Sequence, residues 1–151
     1  MLIAMVGPPG TGKSTLGQVI ASRLNIPVVS VDPIEKAIHA AGIDPDQPTG
    51  LAAYLVAETL AERLLASGSG VVIDAVNAVT PAREQWVRLA ARLSESLRFI
   101  EVICSDEEVH RQRIEAWQSI PNHQLDWNAV EESLEDYAEW TGPSAAVARI
   151  T

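Results

Sequence analysis

Gly7-Pro8-Pro9-Gly10-Thr11-Gly12-Lys13-Ser14 satisfies the pattern G-x-x-x-x-G-K-[ST] in full. Each residue type at that spacing has a physical task. Glycines let the backbone curl until several N–H groups point inward, and a helix beginning at the end of the loop adds partial positive charge. Together they form an anion cradle suited to the β-phosphate of a nucleotide. Lys13 can reach the β- and γ-phosphates, and the Ser14 hydroxyl can ligate Mg²⁺. The residues expected against ATP and its Mg²⁺ are therefore Gly7, Pro9, Gly10, Thr11, Gly12, Lys13, Ser14 and Thr15.

Two carboxylates follow short apolar runs. Asp74 closes Val71-Val72-Ile73-Asp74. Beside a phosphate loop, an acid there is placed to hold Mg²⁺, usually through water; it would also serve as a cap or turn carboxylate. Asn77, three residues on, could orient the nucleotide or the acceptor, or be a plain loop residue. Asp32 closes Val29-Ser30-Val31-Asp32. In phosphoryl transfer to a hydroxyl, such an aspartate accepts the proton and orients the nucleophile. Asp before Pro33 is also a good helix N-cap, and one residue can do both.

Nine of the 11 basic residues are arginines, the better fork for phosphate oxygens. Arg111 and Arg113 are two apart on one predicted helix and point to different faces. Arg113 is expected to face the site as a lid arginine, against the alternative of ion pairs with Glu107, Glu108 or Glu115. Arg83 lies in the first turn of a predicted helix, where a cation opposes the helix dipole. That points to a bound anion. His39, His110 and His123 lack mutual ligand spacing and read as surface or lid residues, and the four tryptophans read as core.

The elements that must position these groups alternate in type. Leu2–Val6 reads as a buried strand and 13–24 as a helix. Pro27–Val31 is a second strand, and Asp32-Pro33 opens a helix. Gly42–Pro48 is a loop; Thr49 caps a long helix patterned on Leu51, Leu55, Leu60, Leu64 and Leu65. Val71–Asp74 is a third strand. Thr80-Pro81 opens a helix through Trp86, Leu89 and Leu93. Phe99–Cys104 is a fourth strand, followed by a capping box from Ser105 to Glu108. Ser119–Leu125 is polar and irregular, Asp126 caps a last helix, and Ala146–Ile150 is a fifth strand. Strands alternating with helices imply a parallel sheet covered on both faces, with right-handed crossovers. Ligands then bind outside the carboxyl ends of the strands, where Gly7–Ser14, Asp32 and Asp74 all fall.

At 151 residues the chain is expected to be one domain. A net charge of −9 disfavours a broad electrostatic grip on nucleic acid. A single cysteine, Cys104, excludes an intramolecular disulfide framework and any Cys-rich zinc site. No apolar run approaches the roughly 18 residues of a membrane span. Met1–Val6 carries no basic segment and is not expected to be a secretory signal. A cytoplasmic location is expected.

The ordered set GPPGTGKST, VSVD, VVIDAVN, TPAREQW and CSDEEVHRQR resembles the P-loop kinase family that groups zeta-toxin-like kinases and polynucleotide 5′-kinases, an AAA-type domain with adenylate-kinase-like topology. The resemblance runs from Leu2 to about Arg113, and more loosely to Trp140. It implies ATP and Mg²⁺ as cofactors and transfer of the γ-phosphoryl group to a hydroxyl. It implies Lys13 and Ser14 as phosphate and metal residues and Asp32 as the acceptor-activating aspartate. It further implies Asp74 as the acid of the third strand, Arg113 as a lid arginine, and Arg83 as an arginine many members carry. Where polynucleotide kinases often have an arginine three residues after the aspartate, this chain has Glu35. The expectation is an α/β, three-layer P-loop NTPase fold with a central parallel five-stranded sheet. Residues 1–151 would form one kinase domain with a lid-like segment around 114–126. The expected partners are ATP and a hydroxyl-bearing small molecule, with no nucleic acid and no membrane. A nucleotide-binding ATPase or switch, and a polynucleotide 5′-hydroxyl kinase, are the alternatives.

Overall fold

Leu2–Val6 (β1) is buried on both faces, as an uninterrupted apolar run requires in a covered parallel sheet. The computed structural model describes residues 1–118, 127, 131, 134–138 and 146–150. After β1 come α1 (Lys13–Leu24), β2 (Val28–Ser30), α2 (Val31–Ala40), α3 (Thr49–Ala66) and β3 (Val71–Asp74). These are followed by α4 (Thr80–Leu93), β4 (Leu97–Val102), α5 (Glu107–Gln118) and β5 (Ala146–Ile150). The sheet order is β2-β3-β1-β4-β5, and every pairing is parallel. The chain leaves β1 toward one side of the sheet and returns to its other side for β4. The loop after β1 thus sits where the strand order reverses, the ligand position of open α/β sheets.

Alternation along β1 divides the core. Leu2, Ala4 and Val6 face a cluster with Ile73, Phe99, Trp86 and Leu89, which α3 and α4 cover. Ile3 and Met5 face Val72, Val102 and Ala21 of α1. The buried stripe of α3 shares only Leu65 with the leucine pattern expected from periodicity. It is Ala53, Ala57, Ala61 and Leu65, while Leu51 is 60% and Leu55 52% exposed. Alanines spaced by four let the helix lie close on the sheet, which turns the leucines outward.

Several boundaries differ from expectation for local hydrogen-bonding reasons. α2 begins at Val31, so Asp32 lies inside its first turn and Ser30 takes the cap position. The Ser30 hydroxyl makes no cap bond; it donates to Asp74 Oδ2 at 3.3 Å. Thr49 is the first residue of α3 rather than its cap, and its Oγ1 lies 2.9 Å from His39 Nε2. The carboxylate that caps α5 is Asp106, which accepts from Val109 N–H at 3.1 Å. β4 starts two residues before the expected Phe99. α1 and α4 end on left-handed residues, Asn25 and Ser94, both at φ 54°, each followed by a residue bonding five back. The irregular segment Ser119–Leu125, with most of the lid and the expected bounds of the last helix, lies outside the described residues. Among the described residues no helix is long and apolar enough to cross a membrane.

Candidate active site

The loop after β1 is shaped by three glycines that no other residue replaces cheaply. Gly10 and Gly12 have φ of 79° and 88°, left-handed values that cost a side-chain-bearing residue. At Gly7 a Cβ would lie 2.2 Å from the Val102 carbonyl oxygen. Gly7 N–H donates to Val76 O at 3.1 Å, joining the start of the loop to the turn after β3. Thr11 Oγ1 donates to Pro8 O at 2.9 Å and braces the loop from inside.

Four of the expected residues meet at the carboxyl edge of the sheet. Lys13 is the first residue of α1, and its Nζ donates to Asp74 Oδ1 at 3.3 Å. Asp74 is thereby held at both oxygens, by Lys13 and by Ser30. Ser14 follows on α1 with an exposed side chain, and Asp32 is exposed in the first turn of α2. Among the described residues no three His, Cys, Asp or Glu side chains converge as a metal cage. A magnesium ion here fits only as Mg²⁺ usually binds, through one carboxylate, a hydroxyl, water and nucleotide phosphates. Asp74 and Ser14 would supply the carboxylate and the hydroxyl of that set.

Asn77 and Arg83 are placed by the fold elsewhere. Asn77 is fully buried. Its Nδ2 donates to Met5 O at 2.7 Å, and its Oδ1 accepts from the Trp86 indole N–H at 2.8 Å. Asparagine tolerates the φ of 49° found there. Arg83 is buried as well, donating from Nε to Asn77 O at 2.8 Å and from its guanidinium to Ala78 O at 3.2 Å. Its guanidinium carbon lies 5.1 Å from the centre of the Tyr137 ring. Burial pulls the Arg83 pKa below its ordinary value, against the opposing pull of Tyr137 and Glu101. These carbonyls supply the electronegative partner that its place in the first turn of α4 called for.

On α5, Arg113 is exposed, three residues beyond His110 on the flank of the face that meets the loop. Arg111 lies against Trp127, its guanidinium carbon 5.0 Å from the ring centre, and reaches Glu107 at 3.5 Å.

Two residues that sequence reasoning missed complete the surroundings. His110 is only 5% exposed, and its Nε2–H donates to Pro9 O at 2.5 Å. With Ile114 it packs on Gly10, so α5 rests directly on the phosphate loop. The i, i+4 spacing of His110 and Ile114 was the available signal. Tyr54 of α3 accepts from Asn77 N–H at 3.1 Å. Burial raises its pKa, the Asn77 hydrogen bond opposes that, and the carboxylates of Asp32 and Glu35 add to the rise. Its phenol stays protonated beside the two acids.

Residues 2–141 match the model of the AAA domain family. The chain is 28% identical over 159 residues to an adenylate kinase of Thermobifida fusca, covering 95% of this chain and 82% of that protein. A crystal structure from Chloroflexus aurantiacus, of a protein to which kinase activity has been ascribed, superposes with a TM-score of 0.80 at 21% identity, over 99% of this chain and 83% of that one. A gluconokinase from Sinorhizobium meliloti superposes with a TM-score of 0.68 at 21% identity, over 98% and 80% of the two chains. The structural likenesses place the fold among the α/β P-loop kinases.

Proposed function

The chain belongs to the AAA domain family, and from that premise we propose that it is an ATP-dependent phosphotransferase acting on the hydroxyl of a small molecule. The observation that carries this reading is the meeting of Lys13 and Asp74 at 3.3 Å beneath the glycine loop, with Asp32 exposed in the first turn of α2, just past the neighbouring strand. Backbone N–H groups of residues 10–14 hold the phosphates, and Lys13 moves from Asp74 to the β- and γ-phosphate oxygens. Ser14 and Asp74 would hold Mg²⁺, which when bound neutralises charge between the β- and γ-phosphates. Asp32 accepts the proton of the acceptor hydroxyl. The hydroxyl oxygen forms a bond to the γ-phosphorus as the bond to the β–γ bridging oxygen breaks, and ADP leaves. Arg113 lies on the helix that packs against the loop, and in this reading meets the charge on the transferred group. Positioning and electrostatics supply nearly all of the catalysis in such reactions.

Lys13→Ala is the test. The side chain points into the site rather than the core, so the fold should survive. Calorimetric titration with a non-hydrolysable ATP analogue, and ATP turnover against a water-only control, should show a loss of affinity, turnover or both. Unchanged affinity together with unchanged turnover would sink the assignment.

A further inference from the structure

The leucines that α3 turns away from the core do not simply meet solvent. Leu51, Leu55 and Tyr54 form one wall of a cavity of about 430 Å³ whose other wall is the β3–α4 turn and the start of α4, with Val79 and Pro81. Its lining is predominantly apolar; its charged side chains are Glu58 and Arg88, and Arg88 is paired with Glu84 at 3.6 Å. That size and character fit a small-molecule pocket, which is mostly apolar with a few polar groups fixing orientation. Val79 is 42% exposed, and burying these apolar groups under a ligand would remove them from water.

Resting on the kinase reading, we infer that this cavity receives the phosphoryl acceptor, and that the acceptor is an uncharged alcohol with an apolar body. Three observations support this. Tyr54 belongs to the cavity wall and its hydroxyl accepts from Asn77 N–H, and Val76 and Ala78 line the same wall, so the cavity borders the turn that follows Asp74. The phenol accepts that bond and keeps its own hydrogen to give to a hydroxyl oxygen. Glu35 of α2 reaches over the cavity wall at Gly50, where a Cβ would lie 2.9 Å from its Oε2. With Asp32 on the same side, this mouth carries negative charge, which excludes anionic acceptors. Glu58 accepts from Gln85 at 2.7 Å, closing the far end with groups already paired to each other.

The test uses three probes that separate body from charge. Phenylpropanediol has the hydroxyls and an apolar body, phenyllactate adds a carboxylate to that body, and erythritol has hydroxyls alone. Saturation-transfer NMR on the full chain reads binding without requiring turnover. Phenylpropanediol should bind at least about tenfold more tightly than either of the others, the scale on which apolar pockets discriminate. Leu55→Asp should weaken it by a similar factor, whereas Leu55→Met should not. Both variants should retain wild-type affinity for the ATP analogue, which certifies their fold. Equal binding of erythritol or phenyllactate, no binding of phenylpropanediol, or indifference to Leu55→Asp would overturn the inference. So would a sedimentation profile in which this face is covered by a second copy of the chain and freed by Leu55→Asp. The kinase reading fails separately. Diol binding lost in Leu55→Asp without any ATP-analogue binding leaves the pocket and removes the kinase, whereas transfer to erythritol alone does the reverse.

Discussion

Asp74 ends β3 and Asp32 lies in the first turn of α2, just past the neighbouring β2, and the two live in different surroundings. Asp74 is pinned by Lys13 and Ser30, whereas Asp32 is exposed at the start of α2. In the proposed reaction one holds a fixed position beside the phosphates and the other meets an incoming hydroxyl. Asp74→Asn should therefore flatten the Mg²⁺ dependence of ATP-analogue binding. Asp32→Asn should leave that binding nearly intact and lower transfer by roughly 10²–10⁴-fold, the usual cost of a lost general base. Titrations with and without Mg²⁺, beside single-turnover transfer, check the pair; loss of ATP binding in Asp32→Asn with transfer per bound ATP preserved would reverse the roles. Asn77 works through the fold instead. Asn77→Ala leaves the Met5 carbonyl and the Trp86 indole N–H without their partner, at about 1–3 kcal/mol for each buried group. The melting temperature should fall by several degrees, since about 1 kcal/mol moves it roughly 2–4 °C in a chain of this size. Nucleotide affinity of the folded fraction should hold. The loop and its lysine were legible because their chemistry is written in eight consecutive residues. Asn77, Tyr54 and His110 were not, because each acquires its role from a partner far along the chain.

At the scale of elements, order and type could be read directly, because glycines, prolines and apolar runs punctuate this chain clearly. The face of α3 could not. Leu51, Leu55, Leu60 and Leu64 make a helical pattern, and so do Ala53, Ala57 and Ala61. Periodicity says that a helix has a buried stripe; how closely it approaches the sheet decides which stripe that is. Here the small side chains win, since Ala53, Ala57 and Ala61 are fully buried against the sheet while Leu60 is 43% exposed. Two substitutions test the assignment by denaturant unfolding. Ala57→Leu overpacks the contact and should cost about 1–3 kcal/mol. Leu60→Lys changes only the outer face and should stay within about 0.5 kcal/mol of wild type. If the leucine stripe were the buried one, Leu60→Lys would be the damaging change. The capping residues differ from expectation by one position at α3 and by two at α2 for a related reason. Thr49 and Ser30 spend their hydroxyls on His39 and Asp74, tertiary partners that local capping rules do not see.

Over the whole molecule, charge frames the choice of acceptor. There are 11 basic residues against 20 acidic ones, for a net charge of −9. Lys13 serves the phosphate loop, and Arg83, Arg88, Arg92 and Arg111 are engaged by carbonyls or carboxylates. In the proposed reading ATP binds in such a field because the loop answers it with oriented backbone N–H groups and one lysine over a short distance. A polynucleotide presents a line of phosphates extending well past that cradle, and the negative surface around it opposes every additional one. Each phosphate contact a protein makes also steepens the fall of affinity with salt. A 5′-hydroxyl oligonucleotide should therefore compete poorly with small alcohols for labelled phosphate at about 150 mM salt, where the screening length is near 8 Å. Lowering the salt should help it little, because the protein has few cations to pair with its backbone. Glu35→Arg places a cation near the acceptor mouth and should raise oligonucleotide labelling, most of all at low salt. Labelling by the wild-type chain that is efficient at about 150 mM salt and falls steeply as salt rises further would mean that a basic track exists. Its phosphate-binding residues would then come from the remaining basic residues, Lys36, Arg23, Arg63, Arg98, Arg113 and Arg149.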